Sequence, residues 1–238
     1  MKPLKSIIQT ATLLALASTA HAASVLINNH SFESPVLAAD TNSGLAAKPT
    51  GTFSGWGYFM STGADFQDFG IENPNSAAYT GASGSGTPLG ADGTNVVFLN
   101  QGTTGGVINI FQDVGVLLPN TQYTLTVAIG QRLDRINGSA TIGLLNAAFG
   151  EANAWANGTL LNSTLAVSSV SGSFQDFTTT FTTGSTVSGN LYIGAQYIAD
   201  GTIQASVDNF RLNAIPEPTA AALLAFGALG VLRRRRAC

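Results

Sequence analysis

Apolar and polar residues alternate along much of this chain, and the period is two. Tyr123, Leu125, Val127 and Ile129 are separated by Thr124, Thr126 and Ala128. Phe177, Thr179 and Phe181 alternate with Thr178, Thr180 and Thr182, and Leu191, Ile193, Ala195 and Tyr197 repeat the pattern. Successive side chains of a strand point to opposite faces, so each run reads as a strand with one buried face. Further strands are expected at 25–28, 53–59, 94–100, 107–113, 140–146, 159–167 and 203–212. Gly-, Asn- and Ser-rich punctuation separates them, as at Asn137-Gly138, Asn157-Gly158 and Gly189-Asn190. Only 144–156 has any helical character, and its Asn and Gly weaken it. Met60 to Gly93 reads as long loops with one or two short strands. About ten short strands with turns between them predict an all-β fold, a two-sheet antiparallel β-sandwich of jelly-roll type.

The two ends depart from this pattern. Lys2 and Lys5 precede an apolar run, Ile7 to Ala17, and Ala20-His21-Ala22 supplies small residues for cleavage. Residues 1–22 therefore read as a signal peptide, an N-terminal signal helix outside the fold. At the other end Pro216, Glu217 and Pro218 break regular structure. An uncharged stretch, Thr219 to Leu232, follows, and then Arg233, Arg234, Arg235 and Arg236. A helix over that stretch would span roughly 21 Å, against a bilayer core of roughly 30 Å. A short C-terminal transmembrane helix is expected, aided by local thinning or snorkelling arginines. The order of these three parts resembles the PEP-CTERM sorting signal. That resemblance implies that 215–238 is recognised by an exosortase in the inner membrane of a Gram-negative bacterium. The body would be transiently membrane-anchored and then released to the cell surface or extracellular matrix, with signal peptidase and exosortase as processing partners. Cys238 reads as an inert thiol.

Composition sharpens the picture of the body, taken as one domain over 23–214. Charged residues make up 10% of the chain but hydrophobic ones 45%, which argues against disorder. Six of the ten basic residues lie in the two ends, whereas twelve of the thirteen acids lie between Ala23 and Ile215. A body this acidic has no electrostatic footprint for nucleic acid or an anionic membrane surface. One Cys excludes an intramolecular disulfide and Cys-based metal sites, and two His exclude a multi-His centre.

Leu26-Ile27-Asn28-Asn29-His30-Ser31-Phe32-Glu33 resembles the opening strand of galactose-binding-like jelly rolls, and Val207-Asp208-Asn209-Phe210-Arg211-Leu212 their closing strand. The resemblance implies a structural calcium at Glu33 and Asp208, where hard oxygen ligands would converge. The competing reading pairs Asp208 with turn amides or Arg211 and leaves Glu33 exposed. No other cofactor is expected. Flat rings can stack on sugars, so Trp155, Trp56 and Tyr58 are candidate glycan contacts, with Gln131 and Arg132 as hydrogen-bonding partners. Core packing accounts for Trp56 at least as well. Asp113 could serve sugars or tie down a turn. His30, the body's one His, sits near no nucleophile motif. Asp65 with Asp68, or Asp134 with Glu151, could form a hydrolase pair. The expectation is a non-enzymatic surface protein, binding exopolysaccharide, with a purely structural or adhesive protein as alternative and a hydrolase after that.

Overall fold

A period-two chain buries a face only when a second layer covers it, and here two sheets cover each other. The computed structural model describes residues 22–43, 50–61, 67–83, 85–101, 106–135, 138–198 and 204–217. Ala22–Pro216 form one compact unit. In chain order the strands are β1 (Ala23–Val25), β2 (Thr41–Asn42), β3 (Thr50–Phe53), β4 (Trp56–Met60), β5 (Gln67–Asn73), β6 (Val96–Gln101), β7 (Val107–Val116), β8 (Thr121–Gln131), β9 (Ala140–Ala147), β10 (Thr159–Ala166), β11 (Ser173–Thr182), β12 (Asn190–Ile198) and β13 (Gln204–Pro216). One helical turn, α1 (Ala154–Asn157), lies between β9 and β10.

The first sheet runs β11-β8-β13-β6-β5-β2, with β1 also on β13; the second runs β10-β9-β12-β7-β4-β3. Every pairing is antiparallel. The fold is therefore an all-β sandwich, as the alternation predicts. The expected flanking helices fall on 1–21 and 218–238, outside the described residues. Among the described residues no helix is long and apolar enough to cross a membrane.

Local differences from the expected strands have physical causes. Residues 53–59, expected to be one strand, form the β3–β4 hairpin. Ser54 and Gly55 take φ of +46° and +88°, the left-handed turn that suits the twist of paired strands. Of the window 144–156, only Ala154 onward is helical, because β12 pairs with its first part as β9.

Strand β13 organises the first sheet. β8 flanks it along one edge. On the other edge β6 pairs with Gln204–Val207 and β1 with Leu212–Ala214. Between them lies a bulge at Asp208/Arg211, where Asn209 has φ of +49°. A bulge interrupts the ladder and re-aims side chains. On the opposite edge, the β6 pairing ends at Val207 and the β1 pairing begins at Leu212, which leaves a gap beside Asp208.

The inner faces meet in one large core. Trp56 packs between Phe32 and Phe210, at ring distances of 5.2 and 4.6 Å. In the second sheet Ile108, Ile110, Leu191, Ile193, Ile142 and Leu144 also face this core. Their neighbours in sequence point the other way and carry a second apolar cluster of Phe111, Leu145, Ala147, Ala154 and Tyr192. An antiparallel sheet with one solvated face would be polar there. This outer face is instead built to be covered.

Candidate functional site

Rings lie flat on the outer face of the second sheet because glycines leave room for them. A Cβ at Gly57 would come within 2.5 Å of the Phe111 ring, and one at Gly143 within 2.7 Å of Trp155. The Trp155 indole N–H donates to the Ile110 carbonyl at 3.3 Å. α1 carries Trp155, and Asn153 caps it, accepting from the Ala156 amide at 3.3 Å. Asn109 holds the cap from below: its side-chain amide donates to Asn153 and its oxygen accepts from Gln196. Asn153→Ala should cost about 1 kcal/mol, the usual worth of such a cap. A shift of tryptophan emission with a lowered melting temperature would report it; an unchanged melt would show that the cap does not hold the turn.

Beside Trp155 the same face forms a cavity of about 440 Å³. Gly57, Phe111, Asp113, Tyr192, Phe149 and Glu151 contribute to its walls. The buried Tyr192 hydroxyl donates to the Ala148 carbonyl at 2.8 Å and accepts from the Glu151 amide at 3.0 Å, which pins the turn over the sheet. Burial pushes the Tyr192 phenol up from its ordinary range. Phe149, on that turn, is 86% exposed. The Asp113 carboxylate accepts from the Asn190 side chain at 2.8 and 3.0 Å and from the Gly115 amide at 2.9 Å. Glu151 Oε1 accepts from the Asn157 side chain at 2.8 Å and the Asn153 amide at 3.0 Å. Those donors hold the Glu151 carboxyl below its usual range.

The candidate glycan contacts are not gathered in one place. Trp56 and Tyr58 are 0% and 2% exposed in the core and offer no ring face to the surface. Trp155 is half-buried on the second sheet. Gln131 and Arg132 sit at the end of β8, in the first sheet. Arg132 is itself buried, and forks to Glu72 at 2.8 and 2.9 Å and to Asp134 at 2.8 and 3.0 Å. Arg132 draws the Asp134 carboxyl down, while burial drives Glu72 up in spite of the ion pair. Asp134 thus belongs to the Arg132 network and Glu151 to the cavity. Asp65 lies outside the described residues. His30 Nδ1 lies 3.7 Å from Asp92.

Glu33 and Asp208, from opposite ends of the fold, grip one short loop. Asp208 is fully buried and accepts from the Asp92 amide at 2.7 Å. Glu33 accepts from the Asn95 amide at 2.8 Å and from the Thr94 hydroxyl at 3.2 Å. Gly93, between them, has φ of +87°, and a Cβ there would collide with the Glu33 carboxyl. Asp208 Oδ1 has no hydrogen-bond partner. Burial pushes the Asp208 carboxyl well up, and the charges of Asp92 and Glu33 push it further. Arg211 does not neutralise it, being paired with Asp176. Among the described residues no group of three or more His, Cys, Asp or Glu side chains could hold a metal. An orphaned, buried carboxylate oxygen beside a second carboxylate does fit a hard cation whose remaining ligands are backbone carbonyls and water.

Sequence alone points Asp113 and Glu151 to other chemistry and does not single out Phe111, Phe149 or Tyr192. A signal for two of these is present nonetheless. The β7 and β12 positions facing away from the core read Asn109-x-Phe111-x-Asp113 and Tyr192-x-Gly194-x-Gln196, too apolar and aromatic for a plain solvent face.

Comparison with known proteins bears on the whole sandwich. A family model described as HpiC1 cyclase matches residues 23–213. Among solved structures, a cyclase from Fischerella sp. TAU is 24% identical, with a TM-score of 0.63, covering 84% of this chain and 100% of its own. A Stig cyclase from the same organism, in complex with (3Z)-3-(1-methyl-2-pyrrolidinylidene)-3H-indole, is 22% identical with a TM-score of 0.62, covering 84% and 100%. A third, in complex with 4-(1H-indol-3-yl)butan-2-one, is 23% identical with a TM-score of 0.59, covering 83% and 100%. At these identities the likeness to the solved structures is one of fold. No curated protein matches this chain.

The family match corrects the functional expectation drawn from the sequence. The PEP-CTERM resemblance rests on a short tail, and Pro218 and Arg233 to Arg236 lie outside the described residues; Pro216 ends β13 and Glu217 follows it, exposed. The matched pattern is spread over the entire sandwich and is that of a cyclase. It overturns the non-enzymatic, glycan-binding or adhesive surface protein, the hydrolase alternative, and the exosortase and exopolysaccharide partners. The membrane-anchored, cell-surface destination derived from the tail goes with them. The chain belongs to the HpiC1-like cyclase family.

Proposed function

We propose that this chain is a cyclase that closes a ring on a flat, indole-like substrate held in the cavity of the second sheet. The observation that carries the reading is the pairing of aromatic walls with carboxylates in one cavity: Phe111, Tyr192 and Phe149 beside Asp113 and Glu151. Ring closure through electron-deficient carbon develops positive charge. Aromatic faces attract such charge, and preorganised carboxylates stabilise it further. Asp113, seated at the ring wall and oriented by Asn190, exchanges the proton with the substrate. Glu151 supplies charge from the rim. Indole compounds in complex with two of the similar cyclases support the substrate class. The strand order supports reading the sandwich as a jelly roll, with Glu33 and Asp208 holding a calcium ion that ties its two chain ends to the Asp92–Asn95 loop.

Calorimetric titration with 4-(1H-indol-3-yl)butan-2-one tests the site. Saturable one-site binding is expected, weakened about three- to tenfold by Phe111→Ala, the usual worth of one aromatic stacking partner. With an indole bearing an unsaturated chain, the protein should yield a ring-closed isomer of equal mass. Asp113→Asn should lower that turnover about 10²- to 10⁴-fold. A folded protein that neither binds the ketone nor forms an isomer would sink the proposal.

A further inference from the structure

Resting on that reading of the cavity, we infer that its preferred substrate is an aromatic amine bound in its protonated form, with the ammonium held at Glu151 and the ring against Phe111 and Tyr192. Negative charge in the cavity is unmatched. Among the described residues no Lys, Arg or His lines it, whereas Asp113 and Glu151 both do. Basic side chains among the described residues are committed elsewhere: Arg132 to Glu72 and Asp134, Arg211 to Asp176, and His30 beside Asp92. Arg135 also lies close enough to Glu72 and Asp134 for its charge to act on both carboxyls.

The charged groups of the cavity are acceptors only. Gln112, a side-chain donor in its lining, spends its amide N–H groups on the Asn28 carbonyl at 2.9 Å and the Gly55 carbonyl at 3.2 Å. Its oxygen is taken by the Asn28 amide at 2.8 Å. The Tyr192 hydroxyl donates to Ala148. Asn28 adds an exposed side-chain amide to the lining, and the charged atoms left for a ligand are carboxylate oxygens, chiefly Glu151 Oε2, because Oε1 is already held by Asn153 and Asn157. Such a lining welcomes a cation and repels a carboxylate or phosphate. The twelve acids of the body reinforce the preference at a distance.

Three ligands of one ring and different charge decide the matter: tryptamine, neutral 4-(1H-indol-3-yl)butan-2-one and anionic indole-3-propionate, each titrated calorimetrically into the full chain at pH 7. Tryptamine should bind about tenfold tighter than the ketone at low salt, as two partly exposed carboxylates would give. The propionate should bind weakest. Raising the ionic strength should shrink the tryptamine preference, since exposed charges are screened. Glu151→Gln should reduce the ratio of the two affinities about threefold or more. Should that variant fail to fold, the salt dependence on the unaltered chain decides the same question. Equal binding of tryptamine and ketone would overturn the charge preference and leave the cavity reading intact. If none of the three binds, both fall together.

Discussion

Replacing Asp208 with Asn should move the melting temperature in opposite directions with and without calcium. In chelator the wild-type carboxyl is fully buried, one oxygen is unpartnered, and Asp92 and Glu33 lie close enough to push its pKa up. A carboxyl whose folded-state pKa is raised favours folding only when protonated. Its contribution is present below the unfolded range, about 3.9, and is lost as pH rises through the folded-state value. Toward neutral pH without metal, the buried carboxyl therefore weighs against the fold, whether it ionises or takes up a proton to stay neutral. The substituted side chain would keep the bond from the Asp92 amide, remove the charge and flatten the pH dependence. Removing the buried charge should raise stability by about 1–3 kcal/mol, with the amide nitrogen standing where the unpartnered oxygen stood. In calcium the order reverses. The ion would bind both carboxylates in their ionised form and stabilise the fold by about 2.7 kcal/mol at one hundred times its dissociation constant. The variant forfeits that. Thermal melts of both proteins at pH 5 and 7.5, in calcium and in chelator, read all four effects. A variant that shifts the same way in both media would refute the calcium assignment at Glu33 and Asp208.

Trp56→Ala should be the most damaging single change in the core. The side chain is 0% exposed and packs on Phe32 and Phe210. Its indole N–H donates to the Asn28 carbonyl at 3.1 Å. Truncation leaves a void and removes that donor, at a cost of about 3–5 kcal/mol. For a chain of this size each kcal/mol lowers the melting temperature by roughly 2–4 °C, so a fall of about 6–20 °C is expected. The damage should also reach the cavity, because Asn28 and Gly55 line it and Gln112 bridges them. Affinity for the indole ketone should drop alongside stability. Trp56→Phe should cost less, since a ring still fills most of the space, although the donor and part of the volume are lost. A melting temperature within about 2 °C of wild type for the alanine variant would show that the core repacks around the void, contrary to the rigid packing of protein interiors.

The strands themselves were legible in the pattern of residues. Period-two runs such as Tyr123 to Ile129 and Leu191 to Tyr197 became β8 and β12 because alternation marks a strand, although β12 is buried on both faces. The turn chemistry around them marked where each strand stops. Function was legible only in part, because the eye falls on short, strongly patterned segments. The tail carried such a segment, while the cyclase pattern is diluted over residues 23–213.

By itself, then, the order of residues determined the class of fold: all-β, two sheets, with an acid-rich body and no repertoire for Cys or multi-His metal chemistry. Tertiary structure decided the rest. Trp56 and Trp155 are the same residue type with opposite fates, one inside the sandwich and one outside against Gly143. Period two says that faces alternate but not which face another layer will cover. The second sheet's outer face became a cavity only when the Tyr192 hydroxyl pinned the turn at Ala148 and Glu151 over it. Glu33 and Asp208, far apart in sequence, reached one loop only because β1 and β6 leave a gap on the same edge of β13. Strand identity is set by neighbours along the chain. A site is set by neighbours across it, and those exist only once the sheets have paired.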